Sequence, residues 1–251
     1  MSFLDRLSPW SSPKGVAAFA ATYVINLRES TARWEAITDV LHRTRLPHVV
    51  RWEAVPGRRL DDDCLRTLQS IGVLAQDLSK FAPKAIKEEI GCALSHLGVL
   101  TDIVRKSLRN ALILEDDVIP SGIDADWHQR FARAYADLPR AWEVWFLYRC
   151  LDRRDQTKRR TARTVVPYLP YGAAAYAVTL RGAEKLARAA LPLYQPIDCI
   201  VAEDLVREGR IRAYAASPRL FQPGNHKSII NANNPEKDFM VDGVSQPPEF
   251  R

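Results

Sequence analysis

Residues 111–120 read ALILEDDVIP, and no other stretch of this chain narrows its fold as far. Four apolar residues, Ala111 to Leu114, run directly into three carboxylates, Glu115, Asp116 and Asp117. A short, wholly apolar run of this kind fits a strand buried on both faces, as in a parallel sheet covered by helices. The acids then stand at the C-terminal end of that strand, where open α/β sheets place their ligands. In an extended chain Glu115 and Asp117 project to the same face, about 7 Å apart. Two hard oxygen donors so placed suit Mg²⁺ or Mn²⁺ carrying a diphosphate. The plainer reading is a solvated acidic turn after a strand, and the triplet alone does not separate the two.

The flanking pattern supports a nucleotide-binding sheet. An apolar strand ends at Leu27, Ser30 or Thr31 caps a helix running to about Arg45, and residues 48–55 form a second strand stopped by Pro56-Gly57. This is a β-α-β opening. Residues 58–81 carry no clear period. Residues 84–108 read as mostly helical, with Leu94, Leu97, Leu100, Ile103, Val104 and Leu108 on one stripe and a polar lead, 84–89, that reads as a loop or a separate turn. A helix over 127–136, strands over 143–148, 165–168 and 173–180, helices over 181–190 and 198–208, and a short strand over 211–215 follow. Residues 149–163 hold seven arginines and lysines and read as an exposed loop. From Ser217 the chain reads as irregular. The expected organisation is a loose leader (1–15), one α/β domain with a Rossmann-type sheet flanked by helices (16–228), and an irregular tail (229–251).

The chain has 251 residues, enough for one domain with a proper core. Its formal charge of +6 leaves a basic surface that suits phosphoryl groups, an acidic membrane face or nucleic acid. Cys64, Cys92, Cys150 and Cys199 are far apart, with no C-x-x-C and no Cys/His cluster in sequence. They read as apolar fillers in a reducing compartment, which argues against structural zinc. The apolar run from Val16 to Leu27 is too short to span a bilayer.

Several segments together resemble glycosyltransferase family 25, the lipopolysaccharide and lipooligosaccharide glycosyltransferases related to collagen galactosyltransferases. They are YVINLRESTARWEAI (23–37), RWEAVPGR (51–58), GCALSHLGVL (91–100), ALILEDDV (111–118), AYAVTLRGAEKL (175–186) and PID (196–198). Order and spacing fit over roughly residues 23–228. GCALSHL followed about twenty residues later by LILEDD is the most specific part. The chain departs from the family at WFLYRCL, where Tyr148-Arg149 replaces the usual leucine-glycine after the strand.

The resemblance implies a GT-A-like fold, a UDP-sugar donor and a divalent metal, Mn²⁺ or Mg²⁺. By this analogy Asp117 binds the metal, while Glu115 or Asp116 holds the ribose or completes the metal shell. Ser95 and His96, read as lying near a helix N-terminus, become donor-site residues, since exposed amides there favour phosphate. Asn26, Arg28 and Arg33 follow the first strand, where a base or ribose is gripped. Asp198 is the expected general base, with a helix cap as the plain alternative and Glu203 and Asp204 as rivals. His226, late in the chain, is a candidate metal ligand, and Lys227 a diphosphate contact.

The activity expected is inverting, metal-dependent hexosyl transfer, with galactose from UDP-galactose, onto a lipopolysaccharide, lipooligosaccharide or other surface glycan. The enzyme would be cytoplasmic, with peripheral contact at the inner membrane face. The alternatives are a sugar-nucleotide or phosphodiester hydrolase using the same site, and a basic nucleic-acid-binding protein. The basic loop lacks interleaved aromatics and no nucleic-acid-binding signature is visible, so nucleic acid is not the expected partner.

Overall fold

The computed structural model describes residues 18–122, 126–150 and 156–224. The expected leader (1–15) and tail (229–251) therefore lie outside the described residues. Within them the β-α-β opening is β1 (Thr22–Asn26), α1 (Thr31–Thr44) and β2 (Val49–Glu53). Ser30 occupies the N-cap position of α1 without a side-chain capping bond. Helix α2 (Asp62–Ser70) lies in the stretch that showed no clear period, capped by Asp61, which accepts from the Cys64 amide. Helix α3 (Ile86–Arg105) precedes β3 (Asn110–Glu115), β4 (Val118–Pro120) and α4 (Trp127–Ala136). Then come β5 (Val144–Phe146), β6 (Lys158–Arg159), β7 (Thr164–Val166), β8 (Ala175–Thr179) and α5 (Leu180–Ala189). The last elements are α6 (Ile197–Cys199), which continues as a π-helix over Ile200–Arg207, then β9 (Ala213–Ala216) and β10 (Phe221–Pro223).

The strands form one eight-stranded sheet in the order β2-β1-β3-β8-β5-β9-β7-β6, with β4 and β10 as a separate ribbon. Side chains alternate between two cores. Tyr23, Ile25, Ile113, Phe146 and Tyr176 face the layer of α3, α5 and α6. Val24, Leu112, Leu114, Trp145 and Ala177 face the layer of α1 and α4. Burial on both faces is why these strands lack a polar alternation.

The sheet is mixed, not parallel. β1 pairs parallel with β2 and β3, and β5 with β9, but β8 runs antiparallel between β3 and β5. An apolar run buried on both faces cannot report strand direction, which depends on the connections. The reversal matters for the site. The loop entering β8 arrives at the same sheet edge as the C-terminal ends of β3 and β5, and the Glu115 amide donates to the Ala174 carbonyl there at 2.8 Å.

Two further expectations change. Part of the basic segment is an edge strand: Lys158 and Arg159 pair with Val166 and Val165. Charged residues on an exposed edge discourage pairing with another chain. Residues 217–224 are also not all irregular. Phe221–Pro223 pairs antiparallel with Val118–Pro120, and the Gly224 amide donates to the Asp117 carbonyl at 2.5 Å. The short strand's exposed rim and prolines hid it from the sequence pattern. Among the described residues no helix is long and apolar enough to cross a membrane.

Candidate active site

A cleft of about 740 Å³, counted to its open mouth, lies where β1, β2 and β3 end. Its lining includes Arg33, Cys92, Ser95, His96 and the whole triplet Glu115, Asp116 and Asp117. The chain does not stay extended through the acids. β3 stops at Glu115, and Asp116 and Asp117 form the turn into β4. The same-face geometry of an extended strand therefore does not apply, yet the turn still delivers all three acids to one cleft.

The three carboxylates have different surroundings. Asp116 is buried, accepting from Asn26 Nδ2 at 2.6 Å and from Arg33 Nη1 at 2.8 Å. Asn26 is itself held by Arg51, whose Nε and Nη2 donate to Asn26 Oδ1 at 3.0 and 2.6 Å. Arg51 in turn stacks on Trp34, 4.6 Å from the ring centroid. Glu115 is partly open and accepts from His96 Nε2 at 3.2 Å. A carboxylate only accepts, so Nε2 carries the proton in that contact and Nδ1 faces the Tyr176 hydroxyl at 3.1 Å. Asp117 has Arg33 Nη1 at 3.6 Å from Oδ2. Burial, then repulsion from Glu115, pushes the Asp117 carboxyl up to about 7, against the pull of Arg33.

GCALSHL is legible position by position in α3. At Gly91 an added Cβ would stand 2.7 Å from the Val55 carbonyl oxygen and 2.8 Å from the Gly57 nitrogen, so α3 packs against the loop after β2 through a residue without a side chain. One turn on, Ser95 Oγ donates to the Gly91 carbonyl at 2.6 Å and accepts from the Val55 amide at 2.8 Å. His96 follows, fully buried, under Glu115. The expectation that Ser95 and His96 sit near a helix N-terminus is corrected. The polar lead is itself helical from Ile86, with Glu88 and Glu89 in the first turn, which puts both residues mid-helix. Helix-end amides are therefore not what brings them to the site.

The cysteines also differ from expectation. Cys64 is exposed and the other three are partly buried. Cys92 and His96, four apart on α3, come together with Glu115, their ligand atoms all within 4.8 Å of one another, a group that could hold a metal ion. The i, i+4 spacing was visible in sequence, but the third member comes from a different element. Burial, then Glu115, raises the Cys92 thiol well above its ordinary range. That favours the protonated form and makes it a weak ligand for a hard cation.

The remaining candidates are spread around this core. Arg28 is exposed, outside the cleft lining, and its carbonyl accepts from Arg51 Nη2 at 3.3 Å. Asp198 lies in the first turn of α6, whose N-cap is Pro196. Its Oδ2 accepts from the Gly172 amide at 3.1 Å and its Oδ1 from the Cys199 amide at 3.0 Å. The helix-cap alternative therefore takes a different form: Asp198 braces the loop before β8. Asp198 is close enough to Cys92 to add to the rise of its thiol. Glu203 accepts from the Tyr171 hydroxyl at 2.8 Å, and Asp204 from Tyr194. His226 and Lys227 lie outside the described residues. Sequence reasoning missed Arg51, Cys92 and Tyr176, each of which reads locally as ordinary strand or helix filling.

The donor chemistry fits a hard divalent cation. Three carboxylates line the cleft; Asp116 is engaged by Asn26 and Arg33, which leaves the oxygens of Glu115 and Asp117 as hard donors. A mixed Rossmann-type sheet with acids at the end of a central strand defines a GT-A-like α/β domain. The family model described as Glycosyltransferase family 25 (LPS biosynthesis protein) matches residues 19–201, and the chain belongs to that family.

Among curated relatives it is similar to procollagen galactosyltransferase 2 of Mus musculus, 24% identical over 227 residues, covering 83% of this chain and 36% of that protein. A glycosyltransferase 25 family member of Aedes aegypti is 30% identical over 183 residues, covering 69% of this chain and 29% of its own length. A human relative, named inactive glycosyltransferase 25 family member 3, is 28% identical over 177 residues, covering 67% of this chain and 28% of its own length. The chain thus spans about a third of the length of these relatives. Because one of them is named inactive, membership alone does not carry an activity; the acids of this chain must.

Proposed function

We propose that the chain is a metal-dependent, inverting glycosyltransferase that moves a hexose, galactose from UDP-galactose, onto a lipopolysaccharide, lipooligosaccharide or other surface glycan. The observation that carries this reading is the acid turn: Asp117, pushed up to about 7 by burial and by Glu115, in a cleft at the end of β3. Galactose as the hexose follows the name of the mouse relative.

Asp117 and Glu115 would hold Mn²⁺ or Mg²⁺, which when bound stabilises the negative charge that gathers on a departing nucleoside diphosphate. His226 joins them in this reading. Asp116 is committed to Asn26 and Arg33, so its part is to fix the turn. Arg33, already facing Asp116 and Asp117, is placed to meet a phosphate once a cation takes over the acids. Ser95 and His96 act through their neighbours, Ser95 by fixing the Val55 loop and His96 by orienting Glu115. Asp198 takes the proton of the acceptor hydroxyl as its oxygen bonds the anomeric carbon and the bond to the diphosphate breaks. The charge of +6 favours approach to an acidic membrane face, in keeping with a cytoplasmic enzyme working on a glycolipid.

The test is Asp117→Ala and Asp117→Asn, assayed for transfer from UDP-galactose and titrated calorimetrically with UDP, with Mn²⁺ or with chelator. Both variants are expected to stay folded, lose transfer and lose the Mn²⁺ dependence of UDP binding. Near-normal turnover by either, or equal UDP affinity with and without chelator in the unaltered chain, overturns the reading. Release of free hexose with every acceptor offered would favour the hydrolase.

A further inference from the structure

The residue where the chain departs from its family's pattern stands beside the site: Tyr148 is outside the cleft lining, yet Glu115 and Asp117 are near enough to act on its phenol. Tyr148 stands two residues past β5, and both it and Leu147 donate their amides to the Ala175 carbonyl at 3.0 Å. With β8 between β3 and β5, this pairing sets Tyr148 across the start of β8 from the acid turn. Its side chain is 7% exposed. The ring is confined on one side by Gly172, where an added Cβ would stand 3.1 Å from Tyr148 Cε1. The Arg219 guanidinium lies 5.9 Å from the ring centroid. Gly172 is the residue whose amide holds Asp198. Tyr148 therefore sits between the two working parts of the proposed reaction, the acids that take the diphosphate end and the loop that holds the base.

Its hydroxyl makes no hydrogen bond among the described residues, although the side chain is more than nine-tenths buried. It is also not sealed away like the partnerless hydroxyls of Thr22 and Thr164. Burial, together with Cys150, Glu115 and Asp117, holds the phenol in its protonated form, so it remains able to donate. Buried tyrosine hydroxyls ordinarily find a partner. One without a partner, and not sealed, beside an active site points to a partner that arrives with the substrate.

We propose that the Tyr148 hydroxyl hydrogen-bonds a hydroxyl of the transferred hexose and helps set which sugar the enzyme accepts from a UDP-hexose donor. This inference rests on the glycosyl-transfer reading above. The sugar must lie between the leaving diphosphate and the base, which is the interval Tyr148 borders. A site built around a sugar hydroxyl discriminates between epimers because the wrong one leaves a buried polar group unpaired.

Tyr148→Phe keeps the ring and removes only the oxygen. With Mn²⁺ present, calorimetry would compare UDP, UDP-galactose, UDP-glucose and UDP-N-acetylglucosamine on the unaltered chain and the variant, alongside melting temperature and kcat/KM for each donor. The expected result is UDP affinity within about twofold, affinity and kcat/KM for the preferred UDP-hexose about tenfold lower, the scale of one hydrogen bond, and a smaller preference between epimers. Equal losses for UDP and UDP-hexose would overturn the proposal, since the oxygen would then serve the diphosphate or the fold. So would an unaltered chain that discriminates donors and a variant that does so equally well. If the unaltered chain binds UDP but no UDP-hexose, the transfer reading fails at that step, and this inference with it.

Discussion

Asn26 and Asp116 are ninety residues apart in sequence and joined by a 2.6 Å hydrogen bond from the Asn26 amide to a buried carboxylate. That bond, with Arg33 on the other oxygen, turns the middle acid of the triplet into a brace between β1, α1 and the acid turn. The outer two acids are left for the cleft. Asp116→Ala should leave Asn26 and Arg33 without their shared partner and cost about 3 kcal/mol, the usual scale for breaking a buried pair from one side. Urea denaturation measures this. A loss as small as that of an exposed substitution would mean the brace is not structural.

Asp117 should behave in the opposite way. A carboxyl whose folded value is about 7 and whose unfolded value is 3.8 holds more protons folded than unfolded between those values. Stability attributable to it therefore falls as pH rises from about 4 to about 7, and the full penalty remains above that. Asp117→Asn should flatten this fall and raise the melting temperature at pH 8 while abolishing transfer, a site that trades stability for function. Melting curves from pH 5 to 8 decide it. An unchanged slope in the variant would assign the titration elsewhere.

The same carboxyl must lose its proton to bind a cation. Mn²⁺ affinity is expected to rise about tenfold per pH unit below 7 and to level off above it, with one proton released per ion bound. Calorimetry in buffers of different ionisation enthalpy counts that proton. Proton release that persists unchanged in Asp117→Asn would point to Cys92 as the titrating ligand.

How far the sequence reached is clearest at these residues. The apolar run 111–114 announced a buried strand, and the acids after it announced the site, because burial and charge are properties of single residues in a row. The direction of β8, the pairing of β10 with β4 and the edge strand 158–159 depend on which distant segments meet, and short strands with exposed ends carry little period. Within the candidate site, the place of Asp117 on the cleft was legible from its neighbours. The spent partners of Asn26 and Asp116, the grouping of Cys92 and His96 with Glu115, and the open hydroxyl of Tyr148 each arise from contacts across elements. Ser95 and His96 were found for a reason that does not hold, since their helix starts a full turn or more earlier than its polar lead implied.

Gly91 offers a test of how α3 is seated. The atoms an added Cβ would meet, at 2.7 and 2.8 Å, are backbone atoms of the loop after β2 and cannot swing aside. Gly91→Ala should cost about 2 kcal/mol or more, typical of overpacking, and displace the Val55 loop that walls the cleft. UDP affinity should fall with it. Thermal melting and UDP titration together check the prediction, and a variant with full stability would show that α3 can shift without consequence.

Asp198 separates transfer from donor binding. Its two oxygens each accept a backbone amide, from Gly172 at 3.1 Å and Cys199 at 3.0 Å, so the side chain also has a structural task. Asp198→Asn keeps one acceptor oxygen and loses the charge. A purely structural role predicts a stability loss of about 1 kcal/mol, one hydrogen bond's worth, with turnover little changed. A general base predicts that UDP-galactose and Mn²⁺ bind normally while transfer falls about a hundredfold or more, with the acid limb of the pH–rate profile removed. The second outcome is expected, because the carboxylate is near enough to Cys92 on the cleft wall to raise its thiol. Normal turnover by a folded Asp198→Asn enzyme would reject the assignment. Attention would then pass to Glu203, whose carboxylate takes the Tyr171 hydroxyl at 2.8 Å, before Asp204, which already serves both Tyr194 and Gln195.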